Sequence, residues 1–186
     1  MNNFVVVPCL VAVLAGCSSM SDKPGSRSSM SSYSQSSLPA AVQVPAGNKV
    51  TMETVGAGEI TYQCREKQGA AGAYEWVFVG PKANLNSRAG TRVGSYYGPP
   101  ATWESMDGSK LTGTQVAVAP AGTGSIPYQL VKANPAMGQG AMTGVTYIQR
   151  VATRGGVAPA TPCTAATAGR NEVVIYQADY IFWSGM

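Results

Sequence analysis

Hydrophobic and polar residues alternate along several short stretches of this chain, and turn-forming residues separate the stretches. The alternation is clearest in residues 173–183, where every second side chain is apolar: Val174, Tyr176, Ala178, Tyr180 and Phe182. A period of two predicts a β-strand, because successive side chains of a strand point to opposite faces. No helical period is sustained in the chain after its N-terminal segment. The pattern therefore predicts an all-β fold.

The other predicted strands are rich in β-branched and aromatic residues, and they cover residues 50–55, 59–65, 74–79, 110–118, 126–131 and 144–154. We expect Gly56-Ala57-Gly58 to form a hairpin-like break and Gly80-Pro81 to end a strand. Residues 92–110 are the least strand-like part of this region. About eight or nine short strands at this spacing are typical of an antiparallel β-sandwich or a flattened barrel.

The N-terminal residues follow a different pattern. Residues 4–15 are almost wholly apolar and lead into Leu14-Ala15-Gly16-Cys17. The run is too short for a comfortable transmembrane helix and predicts a signal peptide over residues 1–16. Leu-Ala-Gly-Cys resembles the lipobox of bacterial lipoproteins, and this resemblance implies that Cys17 is lipidated with palmitate and becomes the first mature residue. A plain signal peptide cut elsewhere is the alternative, because Met1-Asn2-Asn3 carries no Lys or Arg.

Serine dominates residues 17–40, which we expect to form a flexible tether between the lipid anchor and a single β domain over residues 41–186. The anchor would be the protein's contact with a membrane. Ser18 and Ser19 lack the Asp that would imply retention in the inner membrane by the same resemblance. We therefore expect an outer-membrane lipoprotein of the bacterial cell envelope that faces the periplasm or the cell surface.

Composition supports export and excludes several kinds of chemistry. Charged residues make up only 12% of the chain, and 22 glycines and 12 prolines suit an exported β domain. The net charge of +4 is spread along the sequence without a Lys or Arg run, so we expect no nucleic-acid partner. The chain has no histidine, which excludes Ser-His-Asp and Cys-His catalysis and imidazole metal sites. No phosphate-binding motif is present, and we expect neither a cofactor nor a metal.

The four cysteines divide between the N-terminal segment and the domain. Cys9 lies in the predicted signal peptide and Cys17 is the predicted lipid site, which leaves Cys64 and Cys163. Such a pair in an exported domain is most simply a structural disulfide. A redox-active pair would favour Cys-x-x-Cys spacing, which is absent.

Aromatic residues gather in the least strand-like segment. Tyr96, Tyr97 and Trp103, together with Asp107, are the candidate ligand-binding residues. Flat rings with polar edges suit sugars and peptides and are common at recognition surfaces. The alternative is that the rings form a satellite core at one end of the domain and that Asp107-Gly108-Ser109 is simply a turn.

Two functions are consistent with these residues. The first is a non-catalytic lipoprotein module that binds a glycan or protein ligand through residues 96–107. The second is a hydrolase that uses two carboxylates on an envelope glycan or similar polymer. Asp179, the carboxylate placed among apolar neighbours in a strand, is expected to pair with Arg150. The lack of histidine and of nucleophile motifs favours the binding module, and a purely structural coat is a weaker third alternative.

The sequence also resembles the family catalogued as domain of unknown function 3455, over nearly all of residues 41–186. The matching pieces are Tyr62-Gln63-Cys64, Trp76-Val77-Phe78-Val79-Gly80-Pro81, Gly98-Pro99 with Trp103, Asp107-Gly108-Ser109, Ile126-Pro127, Val145 to Val151, Cys163 and Ala178-Asp179-Tyr180. The resemblance implies a secreted protein and supplies no particular activity. A histidine expected just before the Gly-Pro segment is replaced here by Tyr96 and Tyr97, so no role of an imidazole carries over.

Overall fold

The computed structural model describes Met1 and residues 33–186, so the rest of the predicted signal peptide, Cys17 and most of the predicted tether lie outside the described residues. Eight strands form one closed barrel in which each strand pairs with its neighbours in sequence and β8 pairs with β1. The strands are β1 (Asn48–Glu66), β2 (Tyr74–Ser87), β3 (Arg92–Tyr97), β4 (Thr102–Ser105), β5 (Lys110–Ala119), β6 (Tyr128–Ala133), β7 (Val145–Gly155) and β8 (Asn171–Gly185).

All strand pairs are antiparallel, so the connections lie alternately at the two ends of the barrel. We call the end that carries the β1–β2, β3–β4, β5–β6 and β7–β8 connections the upper end, and the opposite end the lower end. Besides the strands, the described residues contain two short 3-10 turns, at Ala40–Val42 and Ala165–Thr167. The all-β prediction is confirmed, and of the two architectures expected the structure has the barrel. No helix among the described residues is long and apolar enough to cross a membrane.

The predicted break at Gly56-Ala57-Gly58 is wrong, because β1 runs through it without interruption. The glycines serve close packing and not a turn. A Cβ atom on Gly56 would meet the ring of Tyr180, and one on Gly58 would overlap the backbone of Lys82 and Ala83. Glycine is therefore needed where another part of the chain approaches the inner face of β1.

Two further boundaries also differ from the sequence prediction. β2 continues beyond Gly80-Pro81, where a Cβ on Gly80 would overlap the carbonyl oxygen of Gly98. A register shift at Thr61/Tyr62 lies beside this point, which is the kind of position where a sheet tolerates proline. Residues 92–110, predicted as the least strand-like segment, contain the short strands β3 and β4.

Large side chains fill the barrel interior from its middle to its lower end. Leu85, Leu111, Ile148 and Phe182 are fully buried there. The ring of Tyr96 stacks on Trp103 at 4.8 Å between centroids, and Tyr180 lies 5.0 Å from Tyr96. The predicted apolar face of residues 173–183 is confirmed, since Tyr176, Ala178, Tyr180 and Phe182 belong to this core.

A second apolar cluster lies on the outer face of β5–β8, where residues 33–44 cover the sheet. Its members are Val42, Val44, Ala119, Leu130, Val151, Ile181 and Trp183. The fully buried Gln149 joins the two layers: its Nε2 donates to the carbonyl of Val42 at 2.7 Å, and its Oε1 accepts from Trp183 Nε1 at 3.0 Å. The described end of the predicted tether, from Tyr33 onwards, thus contacts the barrel.

The predicted disulfide between Cys64 and Cys163 is confirmed, with the two Cα atoms 5.4 Å apart. Cys64 is fully buried near the upper end of β1, on the same inner face as Ile60 and Tyr62. Cys163 lies in the β7–β8 connection. The bond therefore attaches this connection to the rim of the barrel.

Candidate functional site

At its upper end the barrel interior is filled on the β1–β8 side, where Tyr62 and Tyr176 are buried, but not on the side of β3–β6. The unfilled space is a cavity of about 340 Å³, which we call the upper cavity. It is open to solvent, as the 51% exposure of Phe78 in its wall shows. The lining residues come from β2 to β7 and the β3–β4 connection: Phe78, Pro81, Tyr96, Gly98, Pro99, Ala101, Trp103, Gly113, Gln115, Gln129, Val131 and Arg150. Small eight-stranded barrels have room for one small ligand when side chains do not fill them.

The strand register explains why polar residues line this cavity. Arg150 of β7 lies opposite Gln129 of β6 and Tyr180 of β8, so its side chain shares their inner face. Gln115 of β5 lies opposite the buried Val131 in the same way. The cavity therefore has an aromatic wall on the β3–β4 side and a polar wall on the β5–β7 side.

Arg150 is held by the protein but keeps free hydrogen-bond donors. Its Nε and Nη2 both donate to the carbonyl oxygen of Pro127, at 3.2 and 3.0 Å. Nη1 has no partner among the described residues, and no described carboxylate forms an ion pair with this guanidinium. Its end-on edge, formed by Nη1 and the second N–H of Nη2, therefore remains available.

The predicted pairing of Asp179 with Arg150 is wrong. Asp179 Oδ2 accepts instead from Arg88 Nη1 at 2.7 Å, and Arg88 also contacts Glu53 at 3.1 Å. The cause is the alternation of β8: Tyr180 pairs with Arg150 and faces inward, whereas its neighbour Asp179 faces outward. Arg150 is therefore left without a described carboxylate in the cavity wall.

Trp103 adds a buried donor that has no partner. Its side chain is 1% exposed, and its indole Nε1 is buried and forms no hydrogen bond with any described residue. The other two indoles are satisfied, Trp76 by the carbonyl of Thr161 at 2.7 Å and Trp183 by Gln149. The ring of Trp103 lines the cavity, but Nε1 itself has almost no accessible surface, so this donor is enclosed by protein and does not face the open space.

The two glutamines also leave donors free. Gln129 Nε2 donates to Gln115 Oε1 at 2.6 Å, so the Nε2 of Gln115 remains without a partner among the described residues. None of the residues lining the cavity is an Asp or a Glu. The polar side chains of the cavity thus leave free donors on Arg150 and Gln115, a free acceptor on Gln129, and one positive charge among them.

The tyrosines of the interior are neutral phenols. Burial raises the pKa of Tyr96 and of Tyr62, and it raises the pKa of the fully buried Tyr180 well above its usual value. Tyr62 donates to the carbonyl of Gly156 at 2.8 Å, and the hydroxyls of Tyr176 and Tyr180 lie 3.2 Å apart. Tyr62, Tyr176 and Tyr180 therefore hydrogen-bond within the core, and the interior tyrosines supply no phenolate.

The structure brings together two of the four ligand-binding candidates. Tyr96 and Trp103 are stacked in the wall of the upper cavity. Tyr97 points to the outside, where its hydroxyl donates to Glu104 Oε2 at 2.7 Å. Asp107 lies at the lower end, in the β4–β5 turn, away from the cavity.

Asp107 has a clear local role. Its Oδ1 accepts from the hydroxyl and the backbone N–H of Ser109, at 2.6 and 2.9 Å, and its Oδ2 accepts from the N–H of Ala141 at 2.7 Å. These bonds, led by the Ser109 hydroxyl, lower the pKa of Asp107 to about 2. The side chain therefore ties the β4–β5 turn to the β6–β7 connection, as the turn interpretation expected.

Sequence reasoning missed the part of the cavity that lies outside residues 96–107, above all the side chains of Phe78, Gln115, Gln129 and Arg150. The available signal was Arg150 itself, a charged residue two positions from Ile148 in a strand and hence on the same face. Both faces of this strand carry apolar residues, however, so its alternation did not reveal which face lies inside.

A larger depression of about 670 Å³ lies on the outer face of β1–β3. Glu59 and Lys82 are neighbours in register there, with Tyr97 beside Lys82. The depression lies outside the barrel and is lined by side chains of both signs of charge, so it favours no ligand of one charge. We therefore regard the smaller upper cavity as the better candidate site. Within the described part of the chain, no three His, Cys, Asp or Glu side chains cluster as a metal site.

The fold and site define the class: a closed eight-stranded antiparallel barrel with a donor-rich cavity at one mouth. The chain belongs to the family described as protein of unknown function (DUF3455), which matches residues 45–184 and so covers nearly the whole barrel. The resemblance to this family is thereby confirmed. No curated protein and no solved structure shows significant similarity to the chain.

Proposed function

We propose that this protein is a cell-envelope lipoprotein whose barrel binds a small ligand in the upper cavity without catalysing a reaction. The observation that carries the proposal is Arg150, whose end-on edge has no described partner in a cavity that solvent reaches and that no Asp or Glu lines. Binding sites are typically apolar concavities with a few polar groups that fix the ligand's orientation. The upper cavity has this composition, with Arg150 and Gln115 as the polar groups.

The cavity offers little for carboxylate hydrolysis. A hydrolytic pair requires two carboxyl groups on either side of the scissile bond, and no Asp or Glu lines this cavity. The carboxylates of Glu53 and Asp179 do lie near each other, but both are bound to Arg88 on the outside of the barrel. These positions favour binding over the hydrolase alternative.

The envelope part of the proposal rests on Leu14-Ala15-Gly16-Cys17 and on the disulfide, since disulfides persist mainly in oxidising compartments. Labelled palmitate fed to expressing cells should mark the wild type and the control Cys9→Ser, but not Cys17→Ser. Label on Cys17→Ser, or wild-type protein that stays wholly in the soluble fraction, would overturn the lipid anchor.

Binding in the cavity is tested by obstructing it. Ala101 lies in the cavity wall, so Ala101→Trp should fill the space, whereas Ala89→Trp places the same ring in the exposed β2–β3 turn. We expect indole, a neutral aromatic probe, to give saturable saturation-transfer NMR signals with the full chain and with Ala89→Trp. Ala101→Trp should lose them. Equal signals from both variants, or none from the wild type, would contradict the proposal.

A further inference from the structure

We propose that the ligand of the upper cavity is a small organic carboxylate with a flat apolar body. Arg150 would hold the carboxylate, and the rings of Phe78, Tyr96 and Trp103 would contact the body. This inference rests on the proposed function, because it specifies the chemistry of the ligand in that same cavity.

The guanidinium of Arg150 is preorganised for a planar anion. Its two hydrogen bonds to Pro127 use one side of the group and fix its orientation. The remaining end-on edge presents two parallel N–H donors, which match the two oxygens of a carboxylate. An arginine that served only to hold Pro127 would not need to line a cavity.

The rest of the polar wall favours the same sign of charge. Gln115 Nε2 is a further donor without a described partner, and the lining contains no acidic side chain. A cationic ligand would be repelled by Arg150, and the cavity has no carboxylate that would attract it. A single guanidinium matches one negative charge, so a monoanion fits better than a phosphate dianion.

The aromatic wall and the volume describe the other part of the ligand. Phe78 is 51% exposed although it lies on the inner side of β2, so the mouth presents an apolar ring to whatever enters. A volume of about 340 Å³ is near the lower limit of ligand pockets, which span about 300–1,000 Å³. One or two fused rings, or a short chain, fit this space better than a polymer segment does.

The test compares benzoate with benzamide, which has nearly the same shape and no charge. The full chain is titrated by calorimetry, with Arg150→Gln and the matched control Arg154→Gln, which removes an exposed arginine of the same strand. We expect the wild type and Arg154→Gln to bind benzoate about 10- to 100-fold more tightly than benzamide. Arg150→Gln should bind the two equally, and inorganic phosphate should not compete.

The outcomes separate this inference from the proposed function. If benzamide binds as tightly as benzoate, the cavity is a binding site but the carboxylate inference is wrong. If neither compound binds and indole also fails, the proposed function fails with it. If Arg150→Gln does not fold, Arg150→Lys serves as the second variant. It keeps the positive charge but lacks the two parallel N–H donors of the guanidinium, so it should bind benzoate about tenfold more weakly and benzamide with unchanged affinity. Unaltered benzoate affinity in Arg150→Lys and in Gln115→Leu would overturn the inference.

Discussion

The two ends of the barrel interior differ although the same strands build both. At the lower end, Ile148 of β7 and Phe182 of β8 are fully buried against each other's strands. Two residues further up β7, Arg150 occupies the same face but lines an open cavity. The comparison shows that a closed eight-stranded sheet encloses more space than it must fill, and that side-chain size along each strand decides where the core ends and a site begins.

The largest expected effect tests this contrast directly. Phe182→Ala would leave a cavity in the packed lower half and should cost about 3–5 kcal/mol in the free energy of unfolding. Phe78→Ala removes the same ring from the half-exposed mouth and should cost less than about 1 kcal/mol. Urea unfolding of the full-length variants measures both values. Similar losses at the two positions would show that the ends are packed alike.

The next largest effect is expected from the disulfide. It joins residues 99 positions apart and secures the β7–β8 connection at the upper rim. Replacing both Cys64 and Cys163 with Ala should lower the free energy of unfolding by about 2–5 kcal/mol, while benzoate still binds at low temperature. Mass spectrometry of alkylated, unreduced protein checks the bond itself. Two alkylatable thiols in freshly purified protein, or a double variant as stable as the wild type, would contradict this prediction.

A smaller effect is expected at the lower end, from Asp107. Its folded pKa of about 2 lies below the usual value of 3.8, so its stabilising contribution is complete above about pH 4 and is lost as the pH falls towards 2. Asp107→Asn should therefore lower Tm at pH 7, by roughly a few degrees, and the difference from the wild type should vanish near pH 2. A constant difference across this range would mean that the charge plays no part. Benzoate affinity should be unchanged, because Asp107 lies outside the cavity.

Strand content and the disulfide could be predicted because they depend on local patterns. The alternation of 173–183 identifies an inner face, and the position of Cys64 relative to Ile60 and Tyr62 places the sulfur inside. The family resemblance agrees with both features. These elements required no knowledge of which strands are neighbours.

The misassigned features depend on such knowledge. Gly56 and Gly58 look like turn residues in the sequence, but Tyr180 and the backbone of β2 determine their role. β7 is apolar on both faces because residues 33–44 cover its outside. Its alternation therefore gave no inner face, and neither the orientation of Arg150 nor the outward position of Asp179 could be read from it.

The most direct test of the account is the indole N–H spectrum of the full chain, because its three tryptophans differ in their partners. Trp76 and Trp183 donate to protein acceptors, whereas Trp103 Nε1 has none among the described residues. On titration with benzoate in ¹⁵N NMR, the signal that disappears in Trp103→Phe should shift and saturate, while the Trp183 signal stays in place. A titration that moves Trp183 and leaves Trp103 unchanged would contradict a ligand site in the upper cavity.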